Sequence, residues 1–374
     1  MLFCVSCGQQ PAGEVQEQAV EQNEVAGTES EVKVPLLARI HFNVQVTDYA
    51  ASMAFYRMLG LTDGRTGFNK TNTHEMARAL GMFDLCTYEF FDAEVAFIPS
   101  GWGPTSIDII QFITPFIDAP PYPNLNHLGM AYAGLLTTDL MADVAYLKSQ
   151  GVEFLAEPHG IPGSRFVFLK DPDGTFYKLY ESAPPHGDPE ANVHIQAIPF
   201  VAFNVTDFER SREFYRTLGY TESMPLPATS TLEEAQAYGF DRPFKIRGAD
   251  LSMTTGDKSV IRLVQWLDPV DDDPPYPPPI SHLGINRMAV AVADLDEAYA
   301  VLKADGREFL SEIAPCCSAT GLDETGIVHL IDPDGVFIEL VGAIVPTDPP
   351  PAPPDWCPQP QASQSSGTRS TNAP

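Results

Sequence analysis

The sequence predicts an α+β fold in which one β-α-β-β-β unit is used four times. Three observations carry this: the two halves of the chain match each other, each half holds two Asp-to-Gly helix frames, and short β-like runs follow each frame. "FNVQVTDYAASMAFYRMLGL" from Phe42 matches "FNVTDFERSREFYRTLGY" from Phe203. "QFITPFIDAPPYPNLNHLGMAY" from Gln111 matches "QWLDPVDDDPPYPPPISHLGINR" from Gln265. The chain is a tandem duplication, and "SAPPHGDPEAN" at 182–192 clusters Pro, Gly and polar residues as a linker does.

Each unit opens with an alternating strand that ends at Asp48, Asp139, Asp207 or Asp294. Asp caps a helix because its carboxylate accepts the free N–H groups of the first turn. A glycine follows twelve residues later, at Gly60, Gly151, Gly219 and Gly306, where a left-handed residue ends a helix at little cost. Between caps the apolar residues recur at helical spacing, as in Tyr49, Met53 and Tyr56, or Leu295, Tyr299 and Leu302. The runs "IDIIQF", "FVFLKD", "VIRLVQW" and "IVHLID" then read as strands, with "DPDG" as a tight turn before the last strand of units two and four.

The domain reading places an acidic leader at 1–34, a first domain at 35–183, a linker at 184–196, a second domain at 197–344 and a Pro/Ser-rich tail at 345–374. Leader and tail hold too little apolar surface to fold. "CVSCGQQ" resembles the end of a bacterial lipoprotein signal, in which Cys7 would carry lipid. Only six residues precede it, so that reading needs a start further upstream, and an ordinary disordered leader is the alternative. Compartment stays open between the cytoplasm and a bacterial envelope, with the membrane reached only through a Cys7 anchor. The 374 residues carry 50 acidic and 22 basic side chains, a net charge of −28, which excludes nucleic acid as a partner. The six cysteines lack a second pair at zinc-finger spacing, and Cys86 and the adjacent Cys316 and Cys317 read as buried or incidental thiols.

Four such units, with "FYRMLG" or "FYRTLG" openings and "DPDG" before a final "IEL", resemble the vicinal oxygen chelate superfamily. That superfamily includes glyoxalase I, extradiol dioxygenases and bleomycin-resistance proteins. The resemblance covers roughly residues 37–342 and implies tandem domains of four βαβββ units forming two cup-shaped open barrels, in a monomer with pseudo-dimeric domains. It is specific for fold and weak for reaction. It also implies that metal ligands come from the first and last strand of each unit. Those places hold His41, Tyr132, Phe200 and Arg287 on first strands, and Asp108, Lys178, Arg262 and Glu339 on last strands.

Which units pair decides the chemistry. If each half folds on itself, Asp108 meets Lys178, Glu339 meets Arg262 or Arg287, and every buried charge is partnered without a metal. If the halves exchange units, His41, Asp108 and Glu339 share a cup with Arg287, a donor set suited to Fe, Mn, Ni or Zn. Lys178 and Arg262 then meet in the other cup, where like charges 4 Å apart repel by roughly 4 kcal/mol at a near-surface dielectric. The self-paired arrangement is the expected one, and in it Lys178 is no neutral replacement for a carboxylate.

His127 and His282 stand at matching places in "NHLGM" and "SHLGI" and either line the cup rims or hydrogen-bond their loops. Tyr88 and Tyr132 offer donors, although inward aromatics are more often core. "DAPPYP" and "DDDPPYPPP" look like binding loops and read better as stiff connections. His159 and His329 have no repeat partner and receive no role. The resulting expectation is a protein that binds a small organic molecule without a metal cofactor, as a sequestering protein or a metal-independent lyase or isomerase. His41 would be its base, Asp108 and Lys178 charged neighbours, Tyr132 an orienting donor, and Asp108, Arg262 and Arg287 ligand-binding. The alternative is a metal-dependent lactoylglutathione lyase (glyoxalase) or extradiol dioxygenase with His41, Asp108 and Glu339 as ligands. A weaker third reading is a lipid-anchored envelope protein that uses the fold as a docking surface.

Overall fold

The structure, a computed structural model, describes residues 32–63, 73–96, 106–186, 188, 190–253, 259–316, 324–346 and 354–357. Cys4, Cys7 and Cys317 lie outside them. Unit one runs through β1 (Ala38–Gln45), α1 (Tyr49–Met58), β2 (Thr62–Asp63), α2 (His74–Ala79), β3 (Glu89–Ala96) and β4 (Ser106–Thr114). Unit two comprises β5 (Gly129–Thr137), α3 (Leu140–Ser149), β6 (Phe166–Lys170) and β7 (Phe176–Tyr180), with β8 (Ile195–Ala197) after it. Unit three holds β9 (Phe200–Asn204), α4 (Phe208–Thr217), β10 (Tyr220–Pro225), α5 (Leu232–Ala237), β11 (Lys245–Met253) and β12 (Val260–Asp268). Unit four holds β13 (Gly284–Asp294), α6 (Leu295–Ala304), β14 (Glu308–Phe309), β15 (Ala314–Pro315), β16 (Thr325–Ile331) and β17 (Phe337–Ala343).

The four helix frames form as their caps dictate. Asp48, Asp139, Asp207 and Asp294 accept from the backbone N–H groups of Ala51, Ala142, Arg210 and Glu297. Gly60, Gly151, Gly219 and Gly306 follow with φ of 90°, 86°, 92° and 79°. A Cβ on Gly151 or Gly306 would meet nothing within 4 Å, so the left-handed backbone, and not crowding, calls for glycine there.

Strand order corrects the expected pairing. β1 pairs antiparallel with β13, so units one and four form one sheet, ordered β14-β16-β17-β13-β1-β4-β3-β2. β5 pairs antiparallel with β9, so units two and three form the other, ordered β10-β11-β12-β9-β5-β7-β6. The Pro-rich crossing after β4 therefore leads from one sheet into the other. Units of one half still meet, through helices and turns: Tyr56 of α1 donates to Asp171 of the unit-two "DPDG" turn, and Tyr215 of α4 donates to Asp332 of the unit-four turn, both at 2.9 Å. Phe42, Val44, Val201, Phe203, Val290 and Leu340, from both sheets, belong to one apolar core behind them.

Order reaches further into both ends than expected. The Lys33 and Val34 amides donate to the Thr217 carbonyl, and Val34 and Leu36 are buried. Cys86 is not an isolated thiol: it forms a disulfide with Cys357, and Cys316 is disulfide-bonded too. The tail thus has a buried anchor, and the Trp356 ring lies edge-on 5.4 Å from that of His74. Among the described residues no helix is long and apolar enough to cross a membrane.

Candidate functional site

Alternation along β1 sends Phe42 and Val44 into the shared core and turns His41 and Asn43 to the opposite, inner face. Register then gathers the unit-one and unit-four positions. Asn43 sits opposite Asp108 on β4 and Arg287 on β13, while Ala289 stands between His41 and Glu339. His329 on β16 faces Glu339 across the "DPDG" hairpin.

Hydrogen bonds fix this floor. Asn43 Nδ2 donates to Asp108 Oδ2 at 2.7 Å, and Arg287 Nε donates to Glu339 Oε2 at 2.6 Å. His329 Nε2 lies 3.5 Å from the same Glu339 oxygen. Burial alone would raise the Glu339 carboxyl, but Arg287, helped by His329 and His41, holds it well below the usual carboxylate range. Burial pushes the His329 imidazole down, so it is neutral at pH 7. Asn43 Oδ1, Gln45 Oε1 and both ring nitrogens of His329 have no hydrogen-bond partner among the described residues.

An apolar cover closes over that polar floor. Met76, Leu80, Met82 and Tyr88, from α2 and the chain after it, pack with Ile110, Phe112 and Ile327 of the floor strands. The cover is pinned twice. The Ile280 amide donates to the Leu80 carbonyl, and Cys86 carries the bond to Cys357. Gly81, at φ 76°, must be glycine on both counts, since a Cβ there would stand 2.8 Å from Pro278 Cβ.

His41, Asp108 and Glu339 thus share one face, but their donor atoms do not converge. Among the described residues the triad whose ligand atoms all lie within 4.8 Å of one another is His127, Asp271 and Asp273. Arg287 occupies one of the four ligand positions and places its guanidinium on one Glu339 oxygen, Oε2. It thus competes with a divalent ion for Glu339, beside which His41 and Asp108 are the other donors.

The second cup joins Tyr132, Lys178 and Arg262 and answers their charges differently from expectation. Asp108 lies on the other sheet because the units are exchanged, so it does not neutralise Lys178. Lys178 Nζ instead donates to the Tyr238 hydroxyl at 2.7 Å and sits 4.0 Å from the Phe166 ring centre. Burial, with Arg262 adding to it, pulls its pKa down to about 7. Arg262 takes its anion from Asp250, through two bonds of 2.8 and 2.9 Å, and stacks 4.0 Å over Phe200. Tyr132 is buried, its ring 5.2 Å from Phe168 and 6.1 Å from Phe200. Tyr238, Phe244 and Trp266 complete an aromatic filling. His41 and the Tyr132–Lys178 pair, expected in one site, therefore stand in different cups.

A family profile described as "Glyoxalase/Bleomycin resistance protein/Dioxygenase superfamily" matches residues 39–177 and 197–340. The chain belongs to that superfamily. Its fold is similar to glyoxalase I from Zea mays, at 19% identity and a TM-score of 0.56 over 82% of this chain and 92% of that one. It is also similar to a putative dioxygenase from Bacillus subtilis, at 12% identity and a TM-score of 0.53 over 85% and 87%. By whole-sequence comparison the chain matches no curated protein. These likenesses establish the superfamily fold and leave the reaction to the site.

Four contributors escaped the sequence reading. Asp250 and Tyr238 had no motif to mark them, and Asn43 hid inside a strand repeat. His329 was legible: a tight "DPDG" turn sets it opposite Glu339, yet it lacked a repeat partner because Phe168 fills that place in unit two.

Proposed function

We propose that this chain binds a small organic molecule, apolar on one side and oxygen-bearing on the other, in the unit-one and unit-four cup, without a metal held by His41, Asp108 and Glu339. The Arg287–Glu339 ion pair carries the reading, because it puts a cation where a ligand for metal would stand. His41 and the neutral His329 supply proton acceptors, Asn43 and Arg287 supply donors, and the roof of Met76, Met82 and Tyr88 supplies apolar contact. Sequestration, or a metal-independent lyase or isomerase reaction with His41 as base, follows from such a set. The second cup, packed with aromatic rings around Lys178 and Arg262, serves as a structural counterpart.

A metal-dependent glyoxalase-like or dioxygenase-like reaction is the second reading. The observation favouring it is the exchanged pairing, which puts His41, Asp108 and Glu339 on one sheet face. Metal analysis after incubation with Fe(II), Mn(II), Ni(II) and Zn(II), beside a Glu339→Ala variant, separates the two. Retention of metal that the variant loses would establish the second reading. Metal content unchanged in the variant, with thermal shifts by oxygen-bearing aromatics that Arg287→Ala abolishes, would support the first.

A further inference from the structure

We infer a divalent transition-metal site, apart from both cups, formed by His127, Asp271 and Asp273 where the two inter-unit crossings meet. The ligand atoms of these three all lie within 4.8 Å of one another, yet no hydrogen bond or ion pair joins the imidazole to either carboxylate. His127 is only 5% exposed, and its Nδ1 stands 2.8 Å from the Leu128 carbonyl. A carbonyl can only accept, so Nδ1 carries a proton and Nε2 is the ring nitrogen left for a metal. Nε2 makes no hydrogen bond among the described residues, and with two carboxylates gathered beside the ring a cation would be favoured there. Donation of the second ring N–H to a backbone carbonyl is also how metal-binding histidines are held.

The pseudo-twofold twin supplies an internal control. His282 is buried in the same way, with Nδ1 2.8 Å from the Leu283 carbonyl. Matching the two crossings, however, puts Ile117 and Ala119 where the second has Asp271 and Asp273. The histidine geometry is common to both crossings, and carboxylates stand at these two places in one crossing alone. Asn124 Nδ2 donates to Asp271 Oδ2 and the Asp273 amide to Asp271 Oδ1, each at 3.2 Å, and a surface cavity of about 560 Å³, lined by Asn124, Asn126, Arg242, Asp271 and Asp273, opens on the two carboxylates.

One imidazole with two carboxylates suits Zn(II) and its neighbours better than Ca(II), which prefers oxygen alone. A bound ion would cross-link the residue 124–127 and 269–273 segments and stabilise the folded chain by mass action. The test is calorimetric titration of the full, EDTA-treated protein with Zn(II), and with Ca(II) for comparison. Asp271→Asn, Asp273→Asn and His127→Gln preserve shape, and each is checked by circular dichroism. One Zn(II) per chain is expected, bound at least tenfold more weakly in each variant and unchanged in Glu339→Ala, with Ca(II) weaker throughout. The Zn(II)-induced rise in Tm should vanish in the same three variants. No Zn(II) binding, binding untouched by the three substitutions, or binding lost only with Glu339→Ala would overturn the site.

Discussion

Arg287 Nε stands 2.6 Å from Glu339 Oε2 with each side chain 7% exposed, so the two charges are partners that left water together. Removing one leaves the other buried and unpaired, at a cost of about 3–5 kcal/mol. Arg287→Ala is expected to lower unfolding free energy by that amount in urea titrations. The double change Arg287→Met with Glu339→Leu should cost far less, since no charge remains to be desolvated. Equal losses for the single and double variants would show that packing, and not charge pairing, governs this floor.

Lys178 offers a pH signature. Its pKa in the fold is about 7 against an ordinary 10.5, so between those values the unfolded chain holds a proton that the folded chain has released. Stability from this group is therefore full above about pH 10.5 and is lost as pH falls through 7, with a slope of at most about 1.4 kcal/mol per pH unit. Lys178→Met should be more stable than the parent at pH 7, and its stability should vary less from pH 7 to 10. Denaturant melts at four pH values measure it, and parallel curves for parent and variant would refute the assignment.

Much of this was legible because it is local. Asp caps, glycine stops and "DPDG" turns act within a dozen residues, so all four helix frames emerge where their caps place them. The superfamily motifs likewise marked His41, Asp108 and Glu339, which the strand registers place on one sheet face. Unit pairing was not local. Both arrangements satisfy the same strand pattern, and the self-paired one was favoured because Asp108 and Lys178 would then neutralise each other. Asn43, Asp250 and Tyr238 supply that neutralisation or its substitute instead, from strand and helix positions that no spacing rule marks. The Cys86–Cys357 bond spans 271 residues, a separation over which periodicity says nothing.

That bond should matter for stability and for the cover. A cross-link over so long a separation restricts the unfolded chain strongly, and its loss is expected to cost about 2–4 kcal/mol. Cys86→Ser with Cys357→Ser should melt lower than the parent, and reductant should bring the parent toward the variant. If reductant shifts the double variant as much as the parent, the effect belongs to Cys316 and not to this strap. Ligands found by thermal shift should bind the double variant more weakly, because residues 80–88 roof the polar floor.

Tyr215 and Asp332 make the last prediction, which joins stability to pH. Burial raises the Asp332 pKa to about 6 from an ordinary 3.8, while the Tyr215 hydroxyl and the Val336 amide pull the other way. The folded carboxyl holds its proton more tightly than the unfolded one, so its contribution is full below about pH 4 and is lost as pH rises through 6. Asp171, bonded to Tyr56 and likewise raised to about 6, behaves the same way. Tyr215→Phe removes the hydroxyl that solvates the ionised form, so Asp332 should titrate higher still. The expected penalty is about 1–3 kcal/mol at pH 8 and clearly smaller at pH 4.5, where the carboxyl is largely protonated in the fold. Urea melts at the two pH values read the difference directly. A penalty that does not change with pH would mean that the hydroxyl contributes only packing, and that the link between the "FYRTLG" helix and the "DPDG" turn is not made through charge.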